Sequence, residues 1–497
     1  MTRFDRQSGV FLHLTALPGD HGIGDLGDGA RTFVDWLAEA EQSLWQFCPI
    51  GPTSTAHANS PYQSYSAFAG NPLLVDLHGL VDDGLLAPDE LPETDPEDRH
   101  RVAFDRVGPA TEAALRTAFE RYDAGEGAID PDDVAAFSDR EDWLAGYALF
   151  MALKAEFDGQ LWTNWPEPVK TRDPDALDRY REELAADVRY HEFVQYVFDR
   201  QWRDLKAYAD ERDVKLVGDL PIYVALDSAD VWSAPAAFDL DDSNEPNAVA
   251  GVPPNPNDAG QRWGNPLYDW DHLRETGYGW WLDRLRRLFD LVDVTRVDHF
   301  KGFDEYWAIP ADSDDPGDGE WRDAPGYDFF ETVRDEFGEL PFVVEDLGFI
   351  DPGLVQLRDS FGLPGMRVPH YADWCSAGSR DKPSNYPENA VAYTSTHDTD
   401  TAVGFYQSMS DEQRDCLHYA LSTDGSEFHW TLIDAVWNSN AVIAVTTMQD
   451  VLGLDSHARF NTPGTETGNW DWRVTREGLD EGAARRLAEL TDVHIRN

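Results

Sequence analysis

Residues Tyr278–Asp298, YGWWLDRLRRLFDLVDVTRVD, carry a helix pattern that runs straight into a strand pattern. Trp281, Leu285, Leu288 and Phe289 recur at the spacing of one helical face. From Val292 onward the periodicity drops to two, so Val292, Val294, Arg296 and Asp298 share one face of an extended chain. A helix feeding directly into a short strand is the repeating unit of an alternating α/β fold.

The same unit recurs on both sides of this stretch. Short apolar runs predict strands at Gly9–Leu17, Leu44–Ile50, Lys215–Pro221, Val292–Asp298, Phe342–Glu345, Gly365–Tyr371, Val391–Ser395 and Ala441–Met448. Runs that are apolar without alternation are buried on both faces, as in a parallel sheet. Helical patterns lie between them, among them Ala30–Ala40, Glu192–Arg212 and Gly353–Phe361. Eight such strands alternating with helices predict an α/β chain folded as one (β/α)₈ TIM barrel spanning residues 1–497. Two segments break the alternation. Residues 78–190 are acid-rich and then helical, and read as an insertion between strands two and three. Residues 222–271, rich in Pro, Asn and Trp, read as an ordered loop over the barrel mouth.

Composition narrows the function classes. The 497 residues hold 94 acidic and 40 basic side chains, a formal charge of −54. Such a surface repels phosphate backbones and anionic headgroups, which argues against nucleic-acid or membrane partners. Only six of the basic residues are lysine. A Lys-poor acidic surface spread along the whole chain suggests a halophilic protein, adapted to molar salt, where screening over about 3 Å removes the self-repulsion. The N-terminus has no apolar signal region and no stretch approaches a membrane span, so a cytoplasmic location is expected. Cys48, Cys375 and Cys416 form no CxxC pair, so neither a disulfide framework nor structural zinc is expected. Nothing in the composition specifies an oligomeric state.

In a barrel, reactive groups stand at the C-terminal strand ends. Those positions carry Asp219 on strand three, then Arg296, Asp298 and His299 on strand four. Glu345 and Asp346 end strand five, and His397 and Asp398 follow strand seven. Arg296 beside Asp298 favours the charged carboxylate that a nucleophile requires, or else plugs the barrel top as a salt bridge. Glu345 follows the apolar run Phe342–Val344, and partial desolvation suits it to general-acid work. Two carboxylates about 5–5.5 Å apart, one charged and one protonated, are the machinery of retaining glycosidic cleavage. Tyr62 and Trp263, in polar loop contexts, could stack on sugar rings. The competing chemistry is a metal centre built from Asp219, His299, His397 and Asp398. Against it stand the absence of H-x-H spacing and an Arg facing the same space.

A similarity that runs from GVFLHLTALPGDHGIGDLG near the N-terminus to NTPGTETGNWDWR near the C-terminus, nearly the whole chain, is carried by seven motifs in one order, SPYQSYSAFAGNPLLVDL, GDLPIYVALDSADVW, GQRWGNPLYDW, RVDHFKG, VVEDLG, TSTHDTDT and NTPGT. In them the chain resembles the 4-α-glucanotransferases (amylomaltases, disproportionating enzymes) of glycoside hydrolase family 77. The resemblance implies Asp298 as the nucleophile, Glu345 as the acid/base and Asp398 as a stabiliser of the transition state. It places Tyr62, Ser60, Asp219, Trp263, Arg296, His299, His397 and Asn461 against sugar. It implies transfer of α-1,4-glucan from one maltooligosaccharide or starch-like chain to the 4-hydroxyl of another, with no metal or organic cofactor. A hydrolase using the same site, and a silent glucan-binding scaffold, are the alternatives. One loop departs from the family pattern. After GVPP, residues Asn255–Gly260 are one residue shorter and lack the usual aromatic pair, which implies a missing stacking platform for long glucans.

Overall fold

A computed structural model describes residues 4–93, 99–255, 259–465 and 467–496. It contains twelve strands among these residues. They are β1 Gln7–Phe11, β2 Leu44–Gln46, β3 Lys215–Leu220, β4 Ala248–Val252, β5 Gln261–Pro266 and β6 Val294–Val297, then β7 Glu305–Pro310, β8 Glu320–Asp323, β9 Phe342–Val344, β10 Gly365–Arg367, β11 Ala390–Tyr393 and β12 Ile443–Thr447. Eight of them, in the order β1-β2-β3-β6-β9-β10-β11-β12, close into a parallel barrel. Each of the eight apolar runs supplies one barrel strand, so the chain is a (β/α)₈ barrel. The runs extend past the strands because the apolar signal continues into buried turns. Gly9–Leu17, for example, yields a strand ending at Phe11 and a 3₁₀ turn over Leu14–Ala16, all of it buried.

The helix Gly279–Leu291 buries Trp281, Leu285 and Leu291 against the barrel, and Val292 returns the chain to extended geometry ahead of β6. Between β2 and β3 the chain makes a run of helices from Leu77 to Asp210. The last of these, Ala185–Asp210, turns Val194, Val197, Phe198 and Trp202 into the core beside β3. No helix of the described residues is long and apolar enough to cross a membrane.

Two expectations need correction. The segment after β3, read as a loop, carries β4 and β5. With β7 and β8, which follow β6, they form an antiparallel sheet in the order β5-β4-β7-β8. β5 is the Pro- and Gly-bearing QRWGNP and β8 the mostly exposed EWRD, so neither an apolar run nor a clean alternation marks these two, whereas β4 is a short buried apolar run, AVAGV, inside a segment otherwise rich in Pro and Asn. The second correction concerns cysteine. Cys375 and Cys416 are joined in a disulfide across 41 residues, stapling the loop after β10 to the helix Asp411–Leu421. A pair that distant leaves no local spacing signature, and only the fold brings it together. Cys48 is free and buried.

Candidate active site

The strand register sets the geometry of the mouth. Asp219 on β3 lies opposite Arg296 on β6, and Val297 lies opposite Val344 on β9. One step further, Asp298 and Glu345 therefore stand side by side at the ends of adjacent strands. Arg296, almost fully buried, is the hub. Its Nη1 donates to Asp219 at 2.7 and 2.8 Å and is ion-paired with Asp298 Oδ1 at 2.8 Å. The desolvation of this guanidinium is offset by the carboxylates around it, and its pKa lies well above the ordinary value.

Tyr62 comes from the loop after β2 and joins two sides of the mouth. Its hydroxyl donates to Asp219 Oδ2 at 2.7 Å and lies 2.9 Å from His397 Nε2, so the imidazole N–H donates to the phenol oxygen. The two rings stack at 5.3 Å. Nε2 is also 3.1 Å from Asp398 Oδ2, and Asn461 Nδ2 donates to Asp398 Oδ1 at 2.6 Å. Burial would raise the Asp398 carboxyl, but His397 and Asn461 outweigh it and hold it down to about 2. His397 in turn is raised: burial pushes it down, and the Asp398 charge more than reverses that. Asp219 is raised, chiefly by burial.

Glu345 has a different environment. Burial, then the neighbouring Asp298 charge, pushes its carboxyl up to about 7. Its Oε2 accepts the backbone N–H of His299 at 2.8 Å and its Oε1 that of Leu347 at 3.1 Å. His299 reaches that position in left-handed backbone geometry, φ 47°, which a non-glycine residue adopts only under tertiary constraint. The turn thus ties the residue after Asp298 to Glu345. Burial lowers the His299 imidazole to about 4, so it is neutral at pH 7. It packs edge-on against Trp263 of β5 at 4.9 Å.

One continuous cluster of hydrogen bonds and ion pairs therefore holds Tyr62, Asp219, Arg296, Asp298, His397, Asp398 and Asn461, with Glu345, His299 and Trp263 beside it. Ser60 stands outside the cluster: its hydroxyl accepts the backbone N–H of Tyr62 at 3.3 Å and shapes the turn that presents the phenol. Residues 256–258 of the loop lacking the aromatic pair lie outside the described residues.

Three contributors escaped the sequence reading. Arg459 donates to the Asp398 carbonyl at 2.5 Å and the Asn461 carbonyl at 2.8 Å, fixing the segment that carries both. Tyr371, in the loop after β10, is exposed, and close enough to the mouth that the charges of Glu345 and Asp398 favour its protonated phenol. Lys301 binds Asp304, Glu305 and Asp351 together. That trio is the one carboxylate group among the described residues with the spacing to hold a metal ion. The lysine ammonium already supplies its positive charge. Lys301 sits inside RVDHFKG, so the motif itself was the available signal.

A family model described as 4-alpha-glucanotransferase, glycoside hydrolase family 77, matches residues 12–479. The chain belongs to the 4-alpha-glucanotransferase family. It is 43% identical to a 4-alpha-glucanotransferase of Synechocystis, over 99% of this chain and 98% of that one. The identity to the Thermus thermophilus 4-alpha-glucanotransferase is 42%, over 98% and 99%. An amylomaltase from Streptococcus agalactiae, solved in complex with acarbose, superposes with a TM-score of 0.95 at 36% identity, covering 99% of this chain and all of the other.

Proposed function

We propose that this family enzyme transfers α-1,4-glucan segments between maltooligosaccharide or starch-like chains, with retention, through a covalent glucosyl-enzyme. The observation that carries the reading is the pair at adjacent strand ends: Asp298 on Arg296, and Glu345 raised to about 7. Asp298 attacks the anomeric carbon. Glu345, protonated, gives its proton to the departing glycosidic oxygen, then takes one from the incoming 4-hydroxyl. The charge of Asp398, fixed by His397 and Asn461, faces the positive charge that develops on the sugar. Arg296, Tyr62 and Asp219 position these groups, and Trp263 and His299 offer surfaces for a sugar ring. Both steps are nucleophilic and acid/base, and use side chains alone.

Incubation with pure maltotriose tests the reaction. Glucose plus a ladder of longer maltooligosaccharides supports transfer, since an oriented acceptor can reach effective molarities of about 10⁵ M and outcompete water. Glucose and maltose alone would establish hydrolysis instead. The net charge of −54 and the scarcity of lysine support a halophilic protein that is most stable in molar salt.

A further inference from the structure

Away from the mouth, a cleft of about 400 Å³ is lined by residues of the helices Gly279–Leu291, Leu144–Glu156 and Ala229–Ser233 and of the segment ahead of Leu144. None of the mouth cluster lines it. Its volume falls in the roughly 300–1,000 Å³ range of small-molecule sites. Two half-buried indoles, Trp143 and Trp280, stand in its wall. The Phe68 ring lies between them, stacked on Trp143 at 6.4 Å and edge-on to Trp280 at 6.1 Å.

The charges around these rings are of both signs. Arg140, Arg286 and Arg287 stand among five carboxylates, Glu141, Asp142, Asp230, Asp283 and Asp290, and Arg140 and Arg286 are already paired with Glu141 and Asp283. An anion would meet the carboxylates and a cation the guanidinium groups. A neutral, hydroxyl-rich molecule can use both kinds as donors and acceptors while its C–H faces pack on indole. Among the lining donors that lack a hydrogen-bond partner is an Arg287 N–H. Arg287 is buried, with Nη1 on Asp199 at 2.8 Å and Nε on the Phe68 carbonyl at 3.2 Å. Its Nη2 is buried without a hydrogen-bond acceptor among the described residues. A guanidinium N–H left so is costly, and a ligand hydroxyl would relieve it.

We infer that this cleft is an accessory binding site for a maltooligosaccharide, a second hold on the glucan outside the reacting site; the ligand class rests on the function proposed above. Ser66, Phe68 and Asp230 line both this cleft and a small cavity beneath Tyr62 and Asp219. The segment Pro61–Ala69 therefore carries the reacting-site phenol at one end and the accessory-site ring near the other. A glucan long enough to be held at both places gains effective concentration at the mouth, and one that fills the mouth alone does not.

The test is calorimetric titration of maltopentaose into the turnover-deficient Asp298→Ala enzyme. Two sites are expected, falling to one when Trp143→Ala is added. In the otherwise native enzyme, Trp143→Ala should raise KM for amylose about tenfold and leave maltotriose kcat/KM within about twofold. Should Trp143→Ala fail to fold, the exposed Asp283→Ala and the cleft-filling Ala234→Trp replace it, with the same expected loss of one site. A single site in Asp298→Ala, or two sites untouched by all three changes, overturns the inference. Two-site binding in an enzyme that fails to transfer from maltotriose would remove the proposed function and leave the accessory site standing.

Discussion

Carboxylates at the barrel mouth and carboxylates on the outer surface obey different electrostatics. At the mouth each acidic group has named partners at hydrogen-bond distance: Asp219 and Asp298 on Arg296, Asp398 on His397 and Asn461, Glu345 on two backbone N–H groups. Asp219, Arg296 and His397 are buried and keep these contacts in a low dielectric even where Asp298 and Asp398 reach solvent, so single neighbours decide each group's charge. On the surface the pairs are solvated, as with Arg189 and Asp123, which are about half exposed. There are far more acids than bases to pair them, and the net field of −54 governs instead. Lysine follows the same division. Lys154, Lys301 and Lys382 are buried, and Lys206 is paired with Asp293, so few lysines serve the surface. Breaking a mouth contact should therefore change chemistry and leave the salt response alone, whereas salt should change stability and leave the chemistry of the mouth alone.

The largest effect is expected from Asp298→Ala. It removes the covalent route and should lower kcat by on the order of 10⁴-fold or more. The Arg296 charge keeps Asp219 as a partner at 2.7 Å, so the fold should survive. Assays on maltotriose, with circular dichroism as the check on folding, decide it. More than a few per cent of residual activity would remove Asp298 from the nucleophile's role.

Next comes Glu345→Gln. With natural glucans it should be nearly inactive, and donors with good leaving groups should recover part of the rate. In the native enzyme the rate of the first step should fall as pH rises through about 7, where Glu345 loses its proton. The variant, assayed on activated donors, should lack that limb. Stability supplies an independent reading. Glu345 titrates near 7 in the folded chain and near the ordinary 4.5 when unfolded. Between those values the folded state binds more protons, so its stability falls as pH rises. Glu345→Gln abolishes this cost, and should melt higher than the parent at pH 8 but gain nothing below pH 4.5. A gain of equal size at both pH values would mean that packing, not titration, is responsible.

The mouth was legible because its residues sit at the ends of strands that announce themselves. Phe342–Val344 is apolar on both faces, so Glu345 stands out as the first polar residue after it. Asp298 and Arg296 fell on one face by simple alternation. What the sequence concealed depends on contacts between distant segments. Arg459 bonds backbone carbonyls, which have no sequence signature, and Cys375 meets Cys416 only through the fold. The sheet of β4, β5, β7 and β8 has one surface strand, EWRD, with no hydrophobic alternation to betray it. The left-handed His299 was hidden for the same reason: its geometry is imposed by the barrel end rather than by its own preference.

A salt series addresses the surface side of the contrast. At dilute salt the Debye length is tens of ångströms and the acids repel one another across the whole molecule; at about 1 M it shrinks to about 3 Å. Salt that strengthens apolar burial adds to the effect. The melting temperature should rise between about 0.1 M and 3 M NaCl or KCl. The pH at which Glu345 titrates should move little, because the nearby Arg296 charge is buried and two backbone N–H groups hold the carboxyl in place. A flat or falling melting temperature would remove the halophilic reading and leave the glucan chemistry untouched.

The smallest effect tests the contrast most sharply. Arg189 donates to both oxygens of Asp123 at 3.2 and 3.3 Å, the same two-oxygen pattern as Arg296 on Asp219 at 2.7 and 2.8 Å, but longer. Both partners are about half in water, however, and exposed pairs contribute about 0.2–1 kcal/mol. Arg189→Ala should thus cost no more than about 1 kcal/mol in dilute buffer, part of it the loss of one positive charge from a strongly negative surface. In molar salt the electrostatic share is screened and the cost should shrink toward zero. Arg296→Ala leaves Asp219 and Asp298 facing each other across a buried gap, and its penalty should persist at every salt concentration. Denaturant melts of the two variants at low and high salt measure both. An Arg189→Ala penalty as large and as salt-independent as that of Arg296→Ala would mean that surface and mouth are not governed by different electrostatics after all.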